Sequence, residues 1–138
     1  MIEQERKMPF KFRYRVSWVD TDALGIMHFS NYFRICERTE EEFRILNRLE
    51  VPGISFPRVH AECDYKYPLK FMDTAEITLE IRDIGKKHIR IEFRIYNETK
   101  NRLSAICNIV IASINDRFEP VEIPEWFIEK LKNMKENF

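Results

Sequence analysis

From Phe10 to Val19, the apolar residues Phe10, Phe12, Tyr14, Val16 and Trp18 alternate with Lys11, Arg13, Arg15 and Ser17. That period of two is what a strand with one buried face requires. Four more stretches keep it: Val59 to Tyr67, Ala75 to Ile84, His88 to Tyr96 and Leu103 to Ile114. Only "PLKFMD", "GKK" and "NETKNR" separate them. Connections this short join antiparallel neighbours, because a parallel return needs a crossover of about a dozen residues or more. One long helical stretch interrupts the series. From Tyr32 to Leu49, Phe33, Cys36, Phe43, Leu46 and Leu49 recur at helical intervals, "ERTEEEFR" supplies the polar side and "VPG" ends it. Ser30 or Asn31 is its N-cap, and at ~1.5 Å per residue it is about 25 Å long. "IPEWFIEKLKNMK" predicts a short closing helix with Pro124 at its first position. One long helix and five long strands predict an α+β fold, a curved five-stranded antiparallel sheet wrapped around that helix. A single helix cannot cover such a sheet and its edges, so a homo-oligomer is expected.

The chain has 138 residues, 44% of them apolar or aromatic, enough for one core and one domain spanning 1–138. Its 23 basic and 23 acidic residues are interspersed, which argues against nucleic-acid or membrane-surface partners. No run reaches the ~18 apolar residues of a membrane span, and a cytoplasmic protein is expected. Cys36, Cys63 and Cys107 are widely spaced without a CxxC pair, so each is expected to pack as a small buried apolar residue. With only Gly25, Gly53 and Gly85, the chain has neither a dinucleotide fingerprint nor a phosphate loop.

"VSWVDTDALGIMHFSNYF", Val16 to Phe33, breaks the plain alternation with a polar cluster. Asp20 and Asp22 follow a strand, Gly25 lets backbone approach closely, and a helix starts within ten residues. A helix N-terminus favours the oxyanion formed when a nucleophile adds to a carbonyl, and a nearby carboxylate can serve as nucleophile or base. Turn chemistry and helix capping alone also account for these residue types. A second reading makes Asp20, Asp22 and His28 ligands of a divalent metal. Phosphatases of the haloacid dehalogenase type also carry Asp-x-Asp, but after a parallel strand in a doubly wound sheet, which this chain lacks.

The strand "FKFRYRVSWVDTDALGIMHFSNYFRICERTEEEF", the "YKYPLKFMDTAEI" run and the "IPEWFIEKL" ending resemble the 4-hydroxybenzoyl-CoA thioesterase-like family of hot-dog-fold acyl-CoA thioesterases. The most specific element is D-x-D-x-x-G followed by N-Y, here Asp20, Asp22, Gly25, Asn31 and Tyr32. The resemblance implies that Asp22 is the catalytic carboxylate, attacking the thioester carbonyl or activating water. It implies that the backbone N–H of Phe29, or of a neighbour, polarises that carbonyl, and that Asp20 shapes the loop. Bacterial relatives place tyrosine then histidine where this chain has His28 and Phe29, so His28 stands either at the thioester or packed beside the loop. Gly25, Asn31, Tyr32 and Glu37 are the candidate substrate-binding residues, with Tyr14 a weaker site candidate. His60 and His88 are expected at a surface or interface. A thioester has a good leaving group, so the resemblance implies no metal and no cofactor. Lys66, Lys70, Lys86, Lys87 and Arg90 are the candidate partners of the CoA phosphates. The implied protein is an acyl-CoA thioesterase acting as a homodimer or homotetramer. The competing class is a hot-dog module that binds an acyl-CoA or acyl carrier without turnover.

Overall fold

The computed structural model describes residues 9–134. Five strands form one antiparallel sheet: β1 (Phe10–Arg15), β2 (Arg58–Tyr65), β3 (Thr74–Ile84), β4 (His88–Asn97) and β5 (Arg102–Ala112). Their spatial order is β1-β3-β4-β5-β2. The helices are α1 (Asn31–Asn47), between β1 and β2, and α2 (Glu125–Asn133), which closes the described chain. This is the hot-dog arrangement expected from the sequence. No helix among the described residues is long and apolar enough to cross a membrane.

Period-two sequence becomes packing in a direct way. Ile77 and Leu79 of β3, Ile91, Phe93 and Ile95 of β4, and Ala105, Cys107 and Ile109 of β5 turn inward to one side of the sheet. Ile35, Cys36, Thr39 and Phe43 of α1 meet them from above. Phe10 on β1 closes one side with its ring edge-on to Phe43, centroids 5.5 Å apart. Burying a side chain of this size contributes about 1.5–3 kcal/mol, so the α1 stripe and the inner sheet face carry most of the hydrophobic stabilisation.

Four features differ from the sequence expectation. β1 ends at Arg15 rather than Val19, because Trp18–Asp20 forms a 3-10 turn in which Asp20 Oδ2 accepts the Ser17 N–H at 2.8 Å. The helix stops at Asn47, where Arg48 takes a left-handed conformation with φ 52°. The edge strand β2 is exposed along nearly its whole length, with no face buried inside one chain. Cys63 and Cys107 stand directly opposite each other on β2 and β5 and are joined by a disulfide; Cys107 is buried in the core as expected, whereas Cys63 is only partly buried. Their pairing crosses 44 residues of sequence, and nothing in cysteine spacing announces it. Cys36 is free and buried.

Candidate active site

The D-x-D-x-x-G segment folds back on itself. His28 N donates to Asp20 O at 2.8 Å, Asp22 N donates to Ile26 O at 2.9 Å, and Thr21 pairs with Met27 between them. Gly25 closes the turn with φ 80°, in the left-handed region. A Cβ there would meet no atom within 4 Å, so backbone conformation rather than space selects glycine. Met27 is buried and its N–H donates to Leu69 O at 2.7 Å, which anchors the small hairpin to the core.

The two aspartates are used differently. Asp20 is committed to the framework: Tyr14 Oη donates to Oδ2 at 2.6 Å and Ser17 N to the same oxygen, while Asn31 Nδ2 donates to its backbone oxygen at 2.8 Å. Asp22, half-buried, accepts the Leu24 N–H on Oδ1 at 2.8 Å. Its Oδ2 has no hydrogen bond among the described residues. One carboxylate oxygen thus fixes the group, and the other is available to a substrate or water.

At the start of α1, the backbone N–H groups are nearly all engaged. His28 N goes to Asp20 O, Ser30 N to His28 Nδ1 at 3.2 Å, Asn31 N to His28 O at 2.9 Å and Tyr32 N to Phe29 O. Phe29 N–H has no acceptor among the described residues. Its direction follows from the planar trans peptide: the His28 carbonyl is pinned by Asn31 N, so the Phe29 N–H on the opposite side points out of the helix start. Ser30 occupies the N-cap position, but its hydroxyl meets His28 Nδ1 at 2.8 Å instead of capping the helix. Accepting the Ser30 N–H leaves the proton of a neutral His28 ring on Nε2. The ring stacks on Phe29, centroids 4.6 Å apart.

The other candidates separate clearly. Tyr32 is buried, and burial pushes its hydroxyl pKa up. The amide of Asn31 is engaged by Asp20. Glu37 is exposed and lines a cleft of about 740 Å³ with Glu40, Arg44 and Arg58, formed by the later turns of α1 and the segment before β2. Glu40, buried, bonds Arg44 at 2.9 Å and Arg58 as well. Asp22 and Phe29 do not line that cleft. Arg90 is held by Asp83 and Asn108 through bonds of 2.8 and 2.7 Å, whereas Lys66, Lys70, Lys86 and Lys87 are exposed. Among the described residues, no group of three His, Cys, Asp or Glu side chains is placed to hold a metal ion. One residue escaped the sequence reading: Tyr65, on β2, donates its hydroxyl to Phe29 O at 3.0 Å. Nothing short of the fold brings residues 36 positions apart together, so no local signal marks it.

The chain matches the model of the thioesterase-like superfamily over residues 16–131, a span that holds the hairpin, α1 and the whole sheet after β1. It belongs to that superfamily. A 1,4-dihydroxy-2-naphthoyl-CoA hydrolase of Nostoc punctiforme is 28% identical over 128 residues, covering 86% of either chain. Among solved structures, a gentisyl-coenzyme A thioesterase superposes with TM-score 0.74 at 28% identity, covering 86% of this chain and 98% of its own. A 1,4-dihydroxy-2-naphthoyl-CoA thioesterase from Synechocystis superposes with TM-score 0.81 at 19% identity, covering 89% of this chain and 95% of its own, a likeness of fold. The first two of these relatives are named for the hydrolysis of a CoA thioester.

Proposed function

We propose that the chain hydrolyses acyl-CoA thioesters between the Asp22 carboxylate and the Phe29 backbone N–H. The observation that carries this reading is the pair of unused polar groups on one short, rigid segment: Asp22 Oδ2 and the Phe29 N–H are both without a partner among the described residues. The N–H is a fixed donor for the oxygen that becomes negative as the carbonyl turns tetrahedral, and a donor of that kind is worth about 10²–10³ in rate. The carboxylate attacks the carbonyl carbon or takes a proton from the attacking water, and thiolate departs. Asp20, whose Oδ2 takes both the Tyr14 hydroxyl and the Ser17 N–H, holds the loop and takes no part in bond making. Gly25 shapes the turn that presents Asp22. His28, held by Ser30 at Nδ1, offers Nε2 toward a bound substrate.

The acyl and coenzyme portions follow from position and relatives. The relatives are named for hydroxylated aromatic acyl-CoAs, which makes aromatic acyl groups the first substrate class for this chain. Lys70, exposed and paired across from Ile26 of the hairpin, is placed to meet a CoA phosphate. The exposed β2 edge is completed by a second copy pairing along it, giving a homodimer whose two sites flank the seam. A homotetramer would pair two such dimers.

The test is thiol release from short, long and aromatic acyl-CoAs by the purified protein. Hydrolysis of at least one, with an aromatic member fastest, is the expected result. Tight binding of acyl-CoA with no thiol released from any of them would instead make the protein an acyl-carrier binding module.

A further inference from the structure

The peptide that carries the candidate oxyanion donor lies between two others that are tied down. Before it, His28 N–H is fixed on Asp20 O at 2.8 Å. After it, the Phe29 carbonyl accepts Tyr65 Oη at 3.0 Å and, at the longer distance of 3.4 Å, Tyr32 N–H. Tyr65 belongs to β2, at the far edge of the sheet from β1, and Phe29 lies between the hairpin and α1. The bond therefore ties the sheet edge to the turn that aims the Phe29 N–H. The Tyr65 ring is held in turn by Tyr32, which meets it at an 84° interplanar angle with centroids 4.9 Å apart. Burial, and secondarily the nearby Cys36, push the Tyr65 hydroxyl pKa up, so it remains a donor at neutral pH.

We infer that Tyr65 is a positioning residue for thioester hydrolysis: its hydroxyl, through the Phe29 carbonyl, holds the adjoining peptide in the orientation that presents the Phe29 N–H to the developing oxyanion. This rests on the function proposed above. The physical reason is preorganisation. A backbone N–H stabilises a transition state only if it already points at the oxygen, and without the Tyr65 bond the turn at 28–30 keeps its local hydrogen bonds but loses its tie to β2. Tyr65 makes no bond to the reacting atoms in this scheme, so its loss lowers the rate of the chemical step and leaves substrate binding intact.

The experiment compares wild type, Tyr65→Phe and Asp22→Asn on one acyl-CoA that wild type hydrolyses, with kcat and KM measured separately and folding followed by thermal melting. The phenylalanine keeps the ring against Tyr32 and removes only the donor, so a melting temperature near wild type is expected. A fall in kcat of about tenfold, with KM within about twofold of wild type, is the predicted result. A Tyr65→Phe kcat within twofold of wild type, with Asp22→Asn inactive, overturns the role of Tyr65 and leaves the proposed chemistry standing. So does a raised KM with unchanged kcat, which would make Tyr65 a substrate contact. Should Tyr65→Phe fail to fold, Tyr65→Trp, which restores a donor on a larger ring, is measured against Tyr65→Leu; equal kcat in those two variants likewise overturns the inference. Wild type that releases no thiol from any acyl-CoA overturns this inference together with the proposed function.

Discussion

Tyr14 Oη donates a 2.6 Å hydrogen bond to Asp20 Oδ2, linking the outer strand β1 to the first aspartate of the loop. Asp20 in turn carries His28 N and Asn31 Nδ2 on its backbone oxygen, so one side chain on β1 stands behind the geometry of both Asp22 and Phe29. Burial, then the bond and charge of Asp20, raise the Tyr14 pKa. A tyrosine pKa raised on folding contributes stability that is complete below the ordinary value of 10.0 and is lost as pH rises through the folded value.

Replacing Tyr14 with Phe is expected to cost about 1–2 kcal/mol, because the Asp20 carboxylate loses its charge-assisted donor. Thermal melting at pH 7 measures this as a fall of several degrees, and kcat should fall with it as the loop loosens. The difference between wild type and variant should shrink above pH 10.

Gly25→Ala isolates the cost of backbone conformation. With φ at 80° and no atom within 4 Å of a new Cβ, the penalty is conformational alone, about 1–2 kcal/mol. Chemical denaturation should show a lower midpoint with an unchanged slope.

Asp73 supports the site from below. Burial raises its pKa, but hydrogen bonds from Lys70 N, Asn97 and Lys100, with the Lys100 charge, outweigh burial and hold the carboxyl below its ordinary value of 3.8. The neighbouring Leu69 carbonyl holds Met27 N, so this clasp fixes the floor of the hairpin. A carboxyl with depressed folded pKa contributes stability that is present above the unfolded value and is lost as pH falls through the folded one. Acid titration of stability should therefore show a loss beginning near pH 4 and continuing below it. Asp73→Asn should remove that segment of the curve and cost about 2 kcal/mol at pH 7.

The Cys63–Cys107 disulfide ties the edge strand β2 to β5 across 44 residues. Closing a loop of that length stabilises the fold by about 2–4 kcal/mol. A thiol reductant should lower the melting temperature of wild type and leave Cys63→Ser unmoved; equal responses would show that the bond contributes nothing.

Local sequence carried the fold because its signals are local. The alternation of Ile77, Leu79, Ile91, Phe93 and Ile95, and the helical spacing of Cys36 and Phe43, each report burial directly. The same pattern misjudged β2, whose Val59 and Tyr65 are exposed, since alternation tells which residues share a face but not whether anything covers it. Asp20, Asp22 and Gly25 were legible as a loop because their turn bonds span a few residues. Tyr65 on Phe29 and Cys63 on Cys107 were not, because both contacts exist only once β2 is laid beside the rest of the fold.

The most direct test of the site is thiol release by Asp22→Asn set beside wild type on the same acyl-CoA, with binding of that acyl-CoA measured for both. Asparagine keeps the size of the side chain and an oxygen for Leu24 N–H while removing the nucleophile or base. The account predicts a fall in kcat of at least about 10³-fold with affinity within a few-fold of wild type. An Asp22→Asn protein that hydrolyses the thioester at a rate close to wild type would contradict it.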